Sequence, residues 1–271
     1  MESLLLIRIA NVHTHLREGD VVGPLIEKAI EGGACALGLM PNTNQGLTTA
    51  IAVTEYIHRA KELTPAGKQL SFLPIVMVTE QTTEGDIDEC VAAGITDAKV
   101  YPKLRTTRSS NGVERYGKLL PIVRHGGSVG MKFHFHPEHP SSLFSNRDAE
   151  FAFLPLARMF LEESGAIIVW EHGTDARAIP HWKDMATSRR FFVTLTAHHL
   201  ATNEDDTFGD VRATCKPPIK TEVDRHGLIQ LVSEGHSWVM AGADDAPHPI
   251  ENKQVCEGRC ACGAYTSPFL L

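Results

Sequence analysis

The chain of 271 residues carries a net charge of −7, which argues against the basic surface that nucleic-acid binding favours. Its 42% hydrophobic content is ample for a large buried core, and no apolar run approaches the roughly 18 residues needed to span a bilayer. Fourteen histidines in a mildly acidic chain point towards transition-metal chemistry.

The opening "ESLLLIRIA" lacks a basic leader region and reads as the start of a first strand rather than a signal peptide. That strand runs through "LLLIRIANVHTH" and is followed by "GPLIEKAIEGG", a helix with Leu25, Ile26, Ala29 and Ile30 on one face and glycines at its end. "CALGLMPN" gives strand 2, and "TTAIAVTEYIHRAKEL" a helix with a Thr N-cap and Ile51 and Ile57 on its inward side. Strands 3, 4 and 5 follow as "LSFLPIVMVT", "DAKVYP" and "GMKFHFH". The helix "EFAFLPLARMFLEESG" leads to strand 6, "AIIVWEH", and then to strand 7, "FFVTLTAHH". The helix "RHGLIQLVSEGH" leads to strand 8, "WVMAGADD".

Near-continuous apolar runs of this kind are strands buried on both faces of a parallel sheet. Eight of them alternating with helices predict a (β/α)8 TIM barrel. No Pro/Ser-rich linker divides the chain, so residues 1–271 read as a single barrel domain.

In such a barrel the C-terminal strand ends form the active face. This sequence ends strand 1 in His13 and His15, strand 2 in Asn42 and strand 4 in Lys99. Strand 5 ends in His134 and His136, strand 6 in His172, strand 7 in His198 and His199, and strand 8 in Asp244. Histidines scattered through a core would not choose the same end of successive strands. Residues i and i+2 of a strand share a side, so His13 and His15 can bind one ion. His136, His172 and Asp244 join them. His134 shares a face with His136, but His136 lies nearer the strand end and is taken as the ligand, with His134 behind it. His198 and His199 read as polar caps of strand 7 without a metal role.

Lys99 stands inside an apolar strand, where burial as a cation is costly. Burial lowers its pKa, and a neutral amine can take up carbon dioxide as a carbamate able to bridge two divalent ions. The alternatives are a lysine that snorkels to the rim or pairs with Asp97.

Together, "HTHLREGD", "MPNT", "AKVYP" followed by "TTRSSNGV", "FHFHPE", "VWEH" and "GADDAPH" resemble the dihydroorotases of the stand-alone bacterial and fungal type, in the amidohydrolase superfamily. The resemblance implies a zinc-dependent, reversible cyclisation of N-carbamoyl-L-aspartate to L-dihydroorotate in de novo pyrimidine synthesis, carried out by a cytoplasmic homodimer. It implies one zinc on His13, His15 and Asp244, a second on His136 and His172, and a carboxylated Lys99 bridging them. A hydroxide shared by both metals would attack the ring amide, and Asp244 would carry its proton to the departing nitrogen. Arg17, Asn42 and His248 match positions that hold the substrate carboxylate, rather than leaving Arg17 to a surface ion pair with Glu18 or Asp20. Lys216 and Ala261 match backbone contacts to the ring, His136 also faces the substrate, and Thr106 and Thr107 match a lid.

Two other readings stay open: another binuclear cyclic amidohydrolase of the hydantoinase kind, and a catalytically inactive homologue serving as a scaffold. The family continues beyond "YTSPFLL" through a final helix, so the barrel reads as C-terminally truncated around helix 8. Uncovered apolar surface on strands 8 and 1 would then predict marginal stability, aggregation or cover from another chain. The six cysteines read as reduced thiols of a cytoplasmic protein, and Cys256, Cys260 and Cys262 in "CEGRCAC" as a loop, because C-x3-C-x-C is not a usual zinc spacing and no histidine follows it, with a metal site as the alternative.

Overall fold

The structure is a computed structural model and describes residues 8–254. Eight parallel strands lie side by side in sequence order. They are β1 (Ile9–Thr14), β2 (Ala34–Leu39), β3 (Ser71–Val78), β4 (Asp97–Val100), β5 (Lys132–Phe135), β6 (Ile167–Trp170), β7 (Phe191–Leu195) and β8 (Val239–Ala241). The ring closes through a bridge between Thr14 and Asp245, with His15 N–H donating to Asp245 O at 2.9 Å and Asp244 N–H to His13 O at 3.0 Å. This is the expected (β/α)8 barrel.

Around it lie α1 (Val22–Glu31), α2 (Ala50–Glu62), α3 (Glu84–Ala92), α4 (Leu120–Ser128), α5 (Leu154–Ser164) and α6 (Ile179–Ala186). The short α7 (Ala197–Ala201), α8 (Glu222–Ser233) and the four-residue α9 (Ile250–Lys253) complete the set. Between strands and helices the core is strongly aromatic: Phe135 stacks on Phe160 at 4.9 Å and Trp170 meets Trp182 edge-on at 5.6 Å. Among the described residues no helix is long and apolar enough to cross a membrane.

Two readings of the sequence change here, and α4 was not read at all. The tail of "FFVTLTAHH" is not strand: Thr196 accepts from His199 N and caps α7, so His198 and His199 are helical. On α2 the Thr49 cap is as expected, yet Ile51 is 72% exposed, and the buried stripe is Val53, Ile57 and Ala60. Spacings of four and three keep that stripe on one side, and Ile51 falls outside it. Helix α4 had no legible signal because its interior carries two glycines. A Cβ on Gly127 would stand 2.8 Å from Ala166, so the absent side chain is what lets the helix lie against the start of β6. The final helix, Ala261 and the Cys256, Cys260 and Cys262 cluster lie outside the described residues.

Gly38, in the middle of β2, packs against the β1 backbone so closely that a Cβ there would overlap the Val12 carbonyl oxygen. Neither strand can yield without breaking its ladder. Gly38→Ala is therefore expected to cost about 3 kcal/mol or more, read as a lowered urea midpoint. An unshifted midpoint would mean that β1 and β2 are not held this close.

Candidate active site

The strand ends converge as the barrel geometry requires. His13 and His15 rise from the same side of β1, their rings 5.3 Å apart. His136 follows β5 and its ring meets His172 at 4.6 Å, while His172 lies 5.2 Å from His13. Asp244, from the turn after β8, places Oδ1 2.9 Å from His15 Nε2 and 3.1 Å from His13 Nε2. The ligating atoms of His13, His172 and Asp244 all lie within 4.8 Å of one another.

Backbone strain gathers here as well. Arg17 (φ 59°), His172 (φ 40°) and Asp244 (φ 51°) occupy the left-handed region, at a cost of roughly 1–3 kcal/mol each. Leu104 and Arg108, which bracket Thr106 and Thr107, share that conformation.

Lys99 is fully buried at the centre. It neither snorkels nor pairs with Asp97; its Nζ meets Glu171. Asp97 instead takes Lys132 at 2.9 Å and His134 Nε2 at 3.0 Å, and His134 Nδ1 reaches Glu171 at 2.8 Å. His134 thus stands behind the site, as its place on the strand implied. Burial pulls the Lys99 amine below the usual lysine range, with Glu171 opposing. Burial pushes Glu171 up, but its contacts with His13 and Lys99 outweigh it and hold the carboxyl well below its usual range.

The imidazoles suit metal ligation. Burial lowers His15 to about 3, and burial with His136 beside it takes His172 well below its usual value, so both present neutral rings. His172 Nδ1 is buried and has no hydrogen-bond partner among the described residues. Such an orphan within a nest of imidazoles and a carboxylate fits a divalent ion that accepts nitrogen and oxygen ligands.

Above these residues opens a pocket whose walls include Arg17, Asn42, Thr106, Thr107 and Lys216. Arg17 donates through Nε to Pro247 O at 2.9 Å, and its Nη2 lies 2.9 Å from His248 Nε2. Glu18 does not pair with Arg17; it accepts from Asn44 N at 2.7 Å and pairs with Arg108. Asn42 Nδ2 donates to Thr107 O at 3.2 Å, tying the expected lid to the pocket wall.

Three residues escaped the sequence reading. Glu171 and Glu138 are fully buried carboxylates, and Tyr101 is 2% exposed on the cavity wall. Glu138 holds His136 Nε2 at 2.7 Å, and Lys216 Nζ approaches it to 3.7 Å, so that lysine's side chain has a role of its own. The argument applied to Lys99, a charge within an apolar run, would have found Glu171. Apart from these, His198, His199 and Cys215 bring potential ligand atoms within 4.8 Å of one another, although nothing in the sequence pattern assigned the two histidines a metal role. His199 is itself held by Thr196 Oγ1 at 2.6 Å and Pro217 O at 3.1 Å.

No family model matches the chain. A probable dihydroorotase of Schizosaccharomyces pombe is 33% identical, over 98% of this chain and 78% of the relative. Among solved structures, dihydroorotase from Saccharomyces cerevisiae in complex with 5-fluoroorotic acid superposes with a TM-score of 0.89. It is 30% identical, with 96% of this chain and 75% of that one covered. An L-hydantoinase from Arthrobacter aurescens shares the fold at a TM-score of 0.78 and 16% identity, over 91% of this chain and 59% of its own. Barrel, strand-end histidines and these likenesses define an amidohydrolase barrel. Within that class the chain belongs to the dihydroorotase family.

Proposed function

We propose that the chain is a zinc-dependent dihydroorotase that interconverts N-carbamoyl-L-aspartate and L-dihydroorotate in de novo pyrimidine synthesis. The observation that carries this reading is the grouping of Arg17, Asn42 and His248 beside the His/Asp cluster, a clamp for a carboxylate next to a hydrolytic centre. That the yeast relative was solved with 5-fluoroorotic acid, itself a pyrimidine carboxylate, supports it.

In this reading His13, His15 and Asp244 would hold one zinc, His136 and His172 would hold the other, and a carboxylated Lys99 would supply a ligand to both. Carbon dioxide adds to a neutral amine, and burial shifts Lys99 in that direction. Two ions held there would polarise the amide carbonyl and lower the pKa of water. The rest falls to the chain. Arg17 donates its guanidinium fork to the substrate carboxylate, with Asn42 and His248 beside it. His136 and the backbone of Lys216 flank the ring, and Thr106 and Thr107 cover it and exclude water. Asp244 takes a proton from the attacking water and delivers it to the ring nitrogen as the C–N bond breaks; ring closure runs the same transfers backwards. The same reading makes the protein a cytoplasmic homodimer.

Zinc-loaded protein should bind about two ions per chain and prefer dihydroorotate to hydantoin or dihydrouracil by about 10²-fold or more in kcat/KM. Faster turnover of the uncharged rings would make it hydantoinase-like, and neither zinc nor turnover would leave a scaffold.

A further inference from the structure

Tyr101 follows β4 two residues after Lys99, so both side chains turn to the barrel interior. The Lys99 Nζ lies 5.1 Å from the Tyr101 ring centroid, and the ring stands 6.4 Å from that of His136. Its carbonyl accepts from Val113 N at 2.8 Å, which fixes the backbone beside the lid. The hydroxyl, however, is buried and has no hydrogen-bond partner among the described residues. Leaving such a group unpaired costs about 1–3 kcal/mol, so its position calls for an explanation.

Two other tyrosines separate the possible explanations. Tyr56 spends its hydroxyl on Arg17 O at 2.8 Å. Tyr116 also has an unpaired buried hydroxyl, but its ring is packed among Phe135, Phe153 and Phe160 in the outer aromatic layer. Among the described tyrosines only Tyr101 shares the wall of the cavity with His13, His136, His172, Asp244 and Arg17. A phenol is a neutral O–H donor at neutral pH, and Tyr101 carries one on this wall.

Resting on the dihydroorotase reading, we propose that Tyr101 is a catalytic residue whose phenol O–H donates to the ring-amide carbonyl oxygen as that oxygen gathers negative charge. In hydrolysis, water oxygen adds to the carbonyl carbon and its proton goes to Asp244. The C=O π pair moves onto the carbonyl oxygen, which accepts the Tyr101 hydrogen bond without taking its proton. The pair returns as the C–N bond breaks, and the nitrogen takes the proton from Asp244. A donor aimed at the developing charge acts mainly in the transition state, so its loss falls on kcat.

Tyr101→Phe removes one unpaired oxygen and nothing else, so the fold should tolerate it. The expected result is a fall in kcat of about 10²-fold with KM within about threefold of wild type. Melting temperature should be equal or higher and zinc content unchanged. Orotate, a planar analogue with no developing charge, should bind within about threefold of its wild-type affinity. A kcat within about threefold of wild type would overturn the proposal. So would a loss of kcat accompanied by a lower melting temperature or lost zinc, or a weakening of KM and orotate affinity with kcat intact. Wild-type protein that fails to turn over dihydroorotate would remove the underlying reading as well, whereas a fast Tyr101→Phe enzyme removes this inference alone.

Discussion

Asp244→Asn is expected to lower kcat for dihydroorotate by about 10³-fold or more while leaving the barrel folded. The carboxylate is 6% exposed and lies within 3.1 Å of both His13 and His15. Burial pushes it up, but the His13 and His15 contacts outweigh this and keep it well below the usual carboxylate range. It is thus ionised and able to accept a proton. Asparagine keeps the shape and one acceptor oxygen but can neither take up nor return that proton. Initial rates should be read beside zinc content, because Asp244 is also assigned to a metal. Equal rates in the two proteins would defeat the proton-carrier role.

Arg17→Met should cost about 10²-fold in kcat/KM for dihydroorotate, the loss expected when a buried charge-assisted contact to a carboxylate is removed. Burial lowers the guanidinium to about 10, with Arg108 adding to the effect, so it remains a cation at neutral pH. Pro247 O and His248 orient it, an arrangement that a lysine ammonium cannot reproduce. Arg17→Lys should therefore recover little. Dihydrouracil, which has no carboxylate, should react equally with wild type and variant, and this control separates recognition from general damage. If dihydroorotate turnover survived Arg17→Met, the carboxylate clamp would lie elsewhere.

The strands were legible because most are largely buried and so appear as apolar runs, although β8 is only half-buried. Helices were legible in proportion to their stripe: α2 shows Val53, Ile57 and Ala60, whereas α3 buries only Ile87 and Cys90 and gave no signal. The switch from β7 to α7 was missed because the cap, Thr196, is itself a good strand residue. In the site, His13, His15, His136, His172 and Asp244 could be read from their places at strand ends. Arg17 and His248, 231 residues apart, meet through no local pattern and came from resemblance alone. Lys99 was read as unusual, but its partner was not found. Glu171 lies on the far side of β5, and the contact depends on barrel curvature rather than on neighbours in the chain.

The seam between β1 and β8 is the thinnest part of the ring, a single bridge at Thr14 and Asp245 with two flanking amide bonds. His13 and His15 stand on one lip of that seam and Asp244 on the other. An ion gripped by all three would act as a rivet through the joint. Demetallation would then unfasten the cylinder at the place where the chemistry resides, so that inactivation and mechanical loosening become a single event.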